Sequence, residues 1–406
     1  MGAKIKHIKL KRNLTLFKVT LAGVGIILGA GIYALIGLAA RDAGNATWLS
    51  FLIAAIVAAL TGLSYAELST IFKGDACEYD YTKKAFGRKF AWFTTIAIIF
   101  TGIVSASAVA LGFAGYLSSL ISINYLLAAI LLIAAMTFIN YYGIDESCRY
   151  NLLSTIIEFI GLAIILFLGI KNFGSTDITE MPHGLYGVFK AGALVFFAYM
   201  GFETIVKYNE EVKNPNKTIP KALILAIIIC STLYILVAIA AVSSIPYQQL
   251  AASKSPLADV AAFTFGPTAF LILGIIALFS TSNTVLMTMV TTSRLTYGMA
   301  KEKVLPGFLG YVHEIRRTPY WAVFFVGLVT VLLALLKNLE LVADITTLFL
   351  FITFALVNLS TIILRYNFKK KRSFKVPLNI GRFPVLSALG VITALVMLYF
   401  SITNFF

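Results

Sequence analysis

Long apolar runs alternate with short polar segments along the whole chain. Each run reaches the length of about 20 residues that an α-helix needs to cross the hydrocarbon core of a bilayer. The polar segments between the runs contain Lys or Arg, and none is long enough for a sizeable soluble domain. The pattern predicts an all-α, polytopic membrane protein with eleven spans, at 18–41, 46–72, 89–119, 123–143, 150–171, 185–208, 220–245, 267–298, 319–337, 340–366 and 380–405.

The composition agrees with this pattern. Of the 406 residues, 59% are hydrophobic and only 13% are charged, with a mean hydropathy of +0.90. Soluble globular proteins carry about a quarter charged residues. The first apolar run is also too long and too rich in glycine for a cleaved signal peptide, so we expect it to remain as a span.

The positions of Lys and Arg predict the orientation. If the N-terminus is inside, 28 of the 33 basic residues fall in cytoplasmic segments. Such a bias is typical of multi-pass proteins and predicts a plasma-membrane protein with a cytoplasmic N-terminus. The net charge of +15 is then explained by topology and by anionic lipid, and nucleic-acid binding is not expected.

Glycine is concentrated in the first span, which reads GVGIILGAGIYALIG over 23–37. A dinucleotide-binding loop is excluded because no strand precedes the glycines. Close helix packing through Gly25 and Gly29 is one explanation. The other is a broken helix that unwinds at 29–31, since each glycine weakens a helix by about 1 kcal/mol relative to alanine. Unwound backbone at mid-membrane survives only where it lines a cavity inside the protein, so a break predicts a binding site.

A second interrupted span is expected if the chain contains an inverted repeat. Spans 1–5 would pair with spans 6–10, so the sixth span would match the first. That span contains Gly187, Gly192 and Gly201, followed by Glu203. The sequence is therefore divided into a cytoplasmic segment (1–17), a first repeat (18–171), a second repeat (172–366) and a basic loop with the eleventh span (367–406).

Several motifs resemble one family and occur in its order. They are GAGIY (29–33), SYAELS (64–69), FFAYMGFE (196–203), NEEVKNPNKTIPKA (209–222) and SRLTYGMAKEKVLP (293–306). The chain thus resembles the amino acid–polyamine–organocation transporter superfamily, particularly its prokaryotic amino acid permeases. The resemblance implies a LeuT-type fold with five-plus-five inverted repeats, discontinuous helices 1 and 6, and alternating access.

The resemblance also implies a substrate site. The α-carboxylate would be bound by backbone N–H groups of Gly29, Ala30 and Gly31. The α-amino group would be bound by carbonyls near Ile26 and at Phe196, Phe197 and Ala198. Phe197 would close over the substrate, with a plain core aromatic as the alternative. Glu203 would act in binding or gating, or else stabilise its helix through a hydrogen bond.

Two features depart from the family pattern. The loop after the second span reads FKGDACEYDYTKKAFG over 72–87, with Ala76 and Cys77 where relatives have glycines. We therefore expect the inner gate to pack differently. The chain also has eleven expected spans where many relatives have twelve, but the additional spans lie outside the ten-helix core.

Glu67, Glu158 and Glu203 are the best candidates among the acids within predicted spans, where ionisable residues are costly and usually functional, and Asp344 near an outer end is a weaker one. Glu67, near an inner end, favours a structural pairing. Glu158 stands where proton-coupled relatives often have lysine. A carboxylate shielded from water can bind and release a proton as its surroundings open and close. Alternatively, it can help to hold sodium with hydroxyls of STSNT (280–284), which supplies Ser280, Ser282 and Asn283 as coupling residues. Uncoupled exchange and a purely structural acid remain open.

Other chemistry receives little support. The three cysteines lack metal-ligand spacing, and the three histidines are scattered through loops and tail, so no metal, cofactor or enzymatic constellation is expected. The sequence has no phosphate-binding loop of the kind that would indicate transport driven by ATP. A channel would require a continuous polar filter, and a membrane-embedded sensor would require a signalling domain. The sequence therefore favours a secondary active transporter for amino acids, coupled to a proton or to sodium, with small, neutral or apolar substrates.

Overall fold

The computed structural model describes residues 14–72, 77–210 and 212–403. Most of the cytoplasmic segment predicted at 1–17, and Ala76 in the loop after the second span, lie outside these residues. The described chain is mostly helical. A short hairpin, β1 (Asn379–Ile380) with β2 (Phe383–Pro384), is its only regular sheet among those residues, and no sequence pattern predicts it.

Seven helices form the first half of the described chain. They are α1 (Leu16–Ile27), α2 (Ala30–Ala43), α3 (Thr47–Ser69), α4 (Cys77–Phe86), α5 (Arg88–Leu120), α6 (Tyr125–Tyr142) and α7 (Ile144–Gly169). Short 3₁₀ turns lie at Gly44–Ala46 and Ile170–Asn172. The first predicted span therefore comprises two helices, and α4 is a short polar helix between spans.

Eight helices form the second half. They are α8 (Gly184–Val195), α9 (Pro215–Ser244), α10 (Tyr247–Ala252), α11 (Pro256–Phe265), α12 (Pro267–Lys301), α13 (Tyr320–Ala334), α14 (Leu339–Asn367) and α15 (Val385–Thr403). Stretches of 3₁₀ helix lie at Phe196–Tyr199, Phe202–Glu210 and Gly307–Gly310.

Among the described residues, nine helical stretches are long and apolar enough to cross a membrane, against the eleven predicted. Two features account for the difference. The helices α2 and α3 follow each other so closely that Ala30–Ser69 forms one continuous stretch of 40 residues. The ninth predicted span, 319–337, is represented by α13, an apolar helix of 15 residues that is shorter than these nine stretches.

Local sequence explains many helix ends. The Thr15 side chain accepts from the Lys18 N–H at the start of α1. The Asn124 side chain accepts from Leu126 and Leu127 at the start of α6. Proline opens α9, α11 and α12, where the missing N–H costs no intrahelical hydrogen bond.

The predicted interruptions of the first and sixth spans are confirmed. Between α1 and α2 the backbone of Leu28 and Gly29 is extended. After α8 the chain continues as 3₁₀ helix, opens at Met200 and turns at Gly201, whose φ is +116°. Both breaks lie where two buried clusters meet, because Ile27 and Ala198 pack in one cluster and Ala30 and Phe197 in the other.

Candidate substrate and coupling site

The two helix breaks are in direct contact. A Cβ atom added to Gly31 would lie 2.4 Å from Ala198 Cα, closer than any real contact of this kind. One added to Gly201 would lie 3.0 Å from the Ile26 carbonyl oxygen and 2.8 Å from its Cγ2. Glycine at these two positions therefore lets the unwound backbones approach each other closely.

Tyr234 of α9 connects the carbonyl groups of both breaks. Its hydroxyl lies 2.7 Å from the Ile27 carbonyl oxygen and 3.1 Å from that of Ala198. A tyrosine hydroxyl has a single proton, so it donates to one of these carbonyls at a time. Tyr234 on α9 thus fixes the distance between the two unwound segments.

Ala30 and Gly31 lie in the first turn of α2, where N–H groups have no intrahelical acceptor. The Ala30 N–H donates to Thr284 Oγ1 at 3.1 Å. Thr284 in turn donates to the Ser280 carbonyl at 3.0 Å. The positive end of α2 therefore faces α12, and this arrangement of N–H groups favours an anion such as a carboxylate.

The opposite wall is the 3₁₀ stretch at 196–199. The Phe196 ring packs against Phe351 with 4.7 Å between centroids, so its side chain belongs to the aromatic core. Phe197 is buried in the cluster that contains Ala30. The Met200 N–H donates to the Phe197 carbonyl at 3.2 Å. This wall presents carbonyl oxygens, which suit an ammonium group.

Glu203 bonds within its own break. Its Oε2 accepts from the Gly201 N–H at 2.8 Å. Thr204 reinforces the same turn, because its hydroxyl donates to the Gly201 carbonyl at 2.7 Å. Glu203 thus makes a hydrogen bond within its own turn, and its role in binding or gating stays a prediction.

Glu158 on α7 is almost completely buried, with 1% of its surface exposed. Ser280 of α12 donates to its Oε1 at 2.7 Å, so two of the predicted coupling residues are in contact, and their role in coupling stays a prediction. Its Oε2 has no hydrogen-bond partner among the described residues. Since Thr284 bonds to both the Ser280 carbonyl and the Ala30 N–H, the carboxyl group is linked to the first break through one side of α12.

The other predicted coupling residues bond elsewhere on α7. Ser282 lies 2.6 Å from the Tyr150 hydroxyl, and Asn283 donates to the Asn151 side chain at 2.9 Å. Both partners are near the beginning of α7. The structure therefore brings Ser280 to Glu158 but places Ser282 and Asn283 further along the interface between α7 and α12.

Glu67, which the sequence assigned to a structural pairing, has one. Both of its oxygens accept from Arg365 of α14, through Nε at 2.9 Å and through Nη2. Arg372 Nε lies 2.9 Å from Oε1, and the Val376 N–H donates to Oε2 at 2.8 Å. Burial lowers the pKa of Arg372, and Glu67 opposes that shift. This cluster connects the C-terminal end of α3 to the loop that follows α14.

Sequence reasoning missed Tyr234 and did not single out Thr284. Thr284 ends the STSNT segment, but neighbouring hydroxyls gave no reason to prefer it. Tyr234 lies in an apolar span close to Ser231 and Thr232, so no local pattern distinguishes it from its polar neighbours. Tyr33 is a similar case, since its hydroxyl reaches the Glu158 carbonyl at 3.4 Å.

Comparison with known proteins gives one consistent result. The family described as "Amino acid permease" matches residues 14–406. The chain is 30% identical to the branched-chain amino acid permease BcaP of Bacillus subtilis (strain 168), over 96% of this chain and 88% of that protein. It is also 30% identical to the methylthioribose transporter of the same organism, over 96% and 88%.

A plant relative extends the range of named substrates. The vacuolar cationic amino acid transporter 4 of Arabidopsis thaliana is 27% identical, over 88% of this chain and 64% of that protein. These relatives are named permeases and transporters, not enzymes. With its interrupted apolar helices and a family match over almost its whole length, this chain belongs to the amino acid permease family of multi-pass membrane transporters.

Proposed function

We propose that the protein is a secondary active transporter that moves an amino acid across the plasma membrane by alternating access. The N-terminus is cytoplasmic, and residues 18–171 and 172–366 form the two inverted repeats of a LeuT-type fold. The single observation that carries this proposal is the contact of Gly31 with Ala198, which sets one helix's N–H groups against the other's carbonyls in the middle of the protein.

A zwitterion is complementary in charge to these two walls. Its carboxylate is bound by N–H groups of Gly29, Ala30 and Gly31 at the positive end of α2, where it takes the place of Thr284 Oγ1 at the Ala30 N–H. Its ammonium group is bound by carbonyls of Ile26 and of 196–198. No charged side chain is needed for either end. A small, apolar amino acid is the proposed substrate, and the name of the branched-chain permease supports this class.

Coupling is proposed to act through proton binding at Glu158. The carboxyl group has one serine donor and one oxygen without a partner among the described residues. Within the part of the chain that the structure describes, no counter-charge therefore fixes its ionisation state. Proton binding neutralises it in one half of the cycle, and proton release restores the carboxylate in the other. Because Ser280 connects it to the first break, this change is transmitted to the substrate site.

Purified protein in proteoliposomes tests this function. Radiolabelled L-leucine, L-isoleucine and L-valine are offered in counterflow at equal pH on both sides, and then under an inward proton gradient without sodium. We expect saturable exchange of at least one of them and accumulation that follows the proton gradient. Absence of exchange for all common amino acids would refute amino acid transport. Accumulation that requires sodium and ignores pH would replace the proton by sodium.

A further inference from the structure

Three buried side-chain oxygens in one part of the protein have no hydrogen-bond partner among the residues that the structure describes. They are Ser154 Oγ, Glu158 Oε2 and Asn283 Oδ1. Their residues are 0%, 1% and 4% exposed, respectively. An unpaired polar group in an apolar interior costs at least about 1–3 kcal/mol, and such groups are expected to be few in any protein. Three of them along one helix pair therefore require an explanation.

Glu158 and Asn283 bond across the interface of α7 and α12, and we call the polar residues of this interface, with Ser154 between Asn151 and Glu158, the polar seam. On α7 the seam residues are Asn151, Ser154 and Glu158, whose spacing of three and four places them on one helix face. The neighbouring residues Leu152 and Leu153 are 66% and 53% exposed, as expected for a face that contacts lipid. On α7, the seam thus occupies the face that is buried in the protein, opposite the face that contacts lipid.

The seam has a direction. Glu158 and Ser280 form its deep end, and the pairs Asn151–Asn283 and Tyr150–Ser282 continue it toward the beginning of α7. With the N-terminus inside, that beginning is the cytoplasmic end of the fifth span. The seam therefore runs from mid-membrane toward the cytoplasm. Ser154 lies on α7 between Glu158 at its mid-membrane end and Asn151, which pairs with Asn283.

The titratable groups next to Glu158 on other helices are unsuited to exchange a proton with it near neutral pH. Tyr33 of α2 and Cys230 and Tyr234 of α9 interact with it electrostatically. All three are side-chain types that are uncharged near neutral pH in their unperturbed state. Tyr234 and Cys230 are also engaged with backbone carbonyls of the first span. The remaining neighbour is Ser280 of α12, whose hydroxyl donates to Glu158 Oε1.

We infer that the polar seam is a hydrated path through which the coupling proton passes between Glu158 and the cytoplasm. Ser154 and Asn283 are its positioning residues, because each offers a free oxygen to water that stands between the amide pair and the carboxyl group. A buried water typically makes about three hydrogen bonds, which the seam oxygens supply. The step itself is simple: a hydronium ion in the seam gives its proton to Glu158 Oε2 and leaves water, and the reverse step releases it. This inference rests on the proposed function.

Cysteine accessibility tests the path without any transport measurement. Ser154→Cys and the control Leu153→Cys are each labelled with a charged methanethiosulfonate reagent, from the cytoplasmic and from the outer face of oriented membrane vesicles. Mass spectrometry of the labelled peptide distinguishes the new thiol from the native cysteines. A thiol reacts as its thiolate, which forms readily only in contact with water.

We expect the thiol at 154 to react from the cytoplasmic face at least ten times faster than the thiol at 153. Equal slow reaction of both, or reaction of 154 from the outer face alone, would overturn the path. Failure of the proposed function looks different, because wild-type proteoliposomes would then show no amino acid exchange while the labelling pattern persisted.

A pair of isosteric variants provides the second test and does not depend on the cysteine variants folding. Ser154→Thr keeps a hydroxyl group, and Ser154→Val introduces a side chain of the same shape as threonine without the hydroxyl. For each, the initial rate of proton-driven accumulation is divided by the rate of counterflow at equal pH. We expect this ratio to fall about tenfold in the valine variant and to stay near the wild-type value in the threonine variant. Equal ratios in the two variants would refute the role of the hydroxyl.

Discussion

Two glutamates are equally buried in the membrane helices of this protein and have opposite surroundings. Glu67 is 0% exposed and Glu158 is 1% exposed. Glu67 accepts from Arg365 and from the Val376 N–H, and Arg372 lies beside it. Glu158 has one donor among the described residues, the hydroxyl of Ser280. Equal burial thus accompanies complete neutralisation at one site and almost none at the other.

The difference separates a structural acid from a functional one. At Glu67, two guanidinium groups hold the charge in place, and the cluster joins α3 to α14 and to the loop after it. Removing one partner of such a cluster leaves the others buried and unpaired. At Glu158, no basic side chain among the described residues fixes the charge, so proton binding and release require no ion pair to break. An acid in that position is suited to change its state during a transport cycle.

The largest expected effect is on folding, at Glu67. Glu67→Gln leaves Arg365 and Arg372 without a counter-charge in a buried site. We expect a loss of about 3–5 kcal/mol in the free energy of unfolding. Chemical unfolding in detergent, followed by circular dichroism, measures it. A loss below about 1 kcal/mol would mean that the cluster is solvated, as is usual for surface pairs, and the comparison would lose its structural half.

The second effect is on coupling, at Glu158. Glu158→Gln is a permanent mimic of the protonated, neutral acid. We expect its unfolding free energy to change by no more than about 1.5 kcal/mol, the net contribution of one hydrogen bond. Accumulation driven by a proton gradient should fall at least tenfold in proteoliposomes. Unchanged dependence on pH would show that this acid, too, is structural.

The smallest effect is expected at a third acid, outside the core. Glu340, at the start of α14, pairs with Arg41 at 2.9 and 2.5 Å. The two side chains are 26% and 41% exposed, so water and salt screen the pair. Glu340→Gln should lower the unfolding free energy by about 0–1 kcal/mol. The difference should shrink further at high salt, whereas the effect at Glu67 should persist.

The fold was largely predictable because lipid imposes simple rules. Span length, the distribution of Lys and Arg, and the glycines at 29–31 and 201 carry local signals, and the structure has helix interruptions at both places. The helix of the ninth span is shorter than the predicted range, because Leu335 and Leu336 after α13 are apolar without being helical. The hairpin at 379–384 has no strong pattern, since strands of two residues are too short to show one.

The site was predictable only in part. Residues of the breaks and Glu158 could be named because glycine in a span and an acid in a span are locally unusual. Their partners come from distant parts of the chain. Thr284 meets Ala30 across 254 positions, and Arg365 meets Glu67 across 298. Such pairings depend on how the helices pack, which no local pattern encodes.

Binding of L-leucine to two glycine variants tests the central claim most directly. Gly31→Ala places a methyl group against Ala198, whereas Gly298→Ala meets nothing within 4 Å and serves as the matched control. Equilibrium binding of radiolabelled L-leucine to purified protein is measured for both variants and for wild type. If wild type exchanges another amino acid better, that amino acid is used instead. The paired breaks predict loss of binding in the first variant and wild-type affinity in the second. Wild-type affinity in both, with each variant folded, would contradict a substrate site between the two breaks.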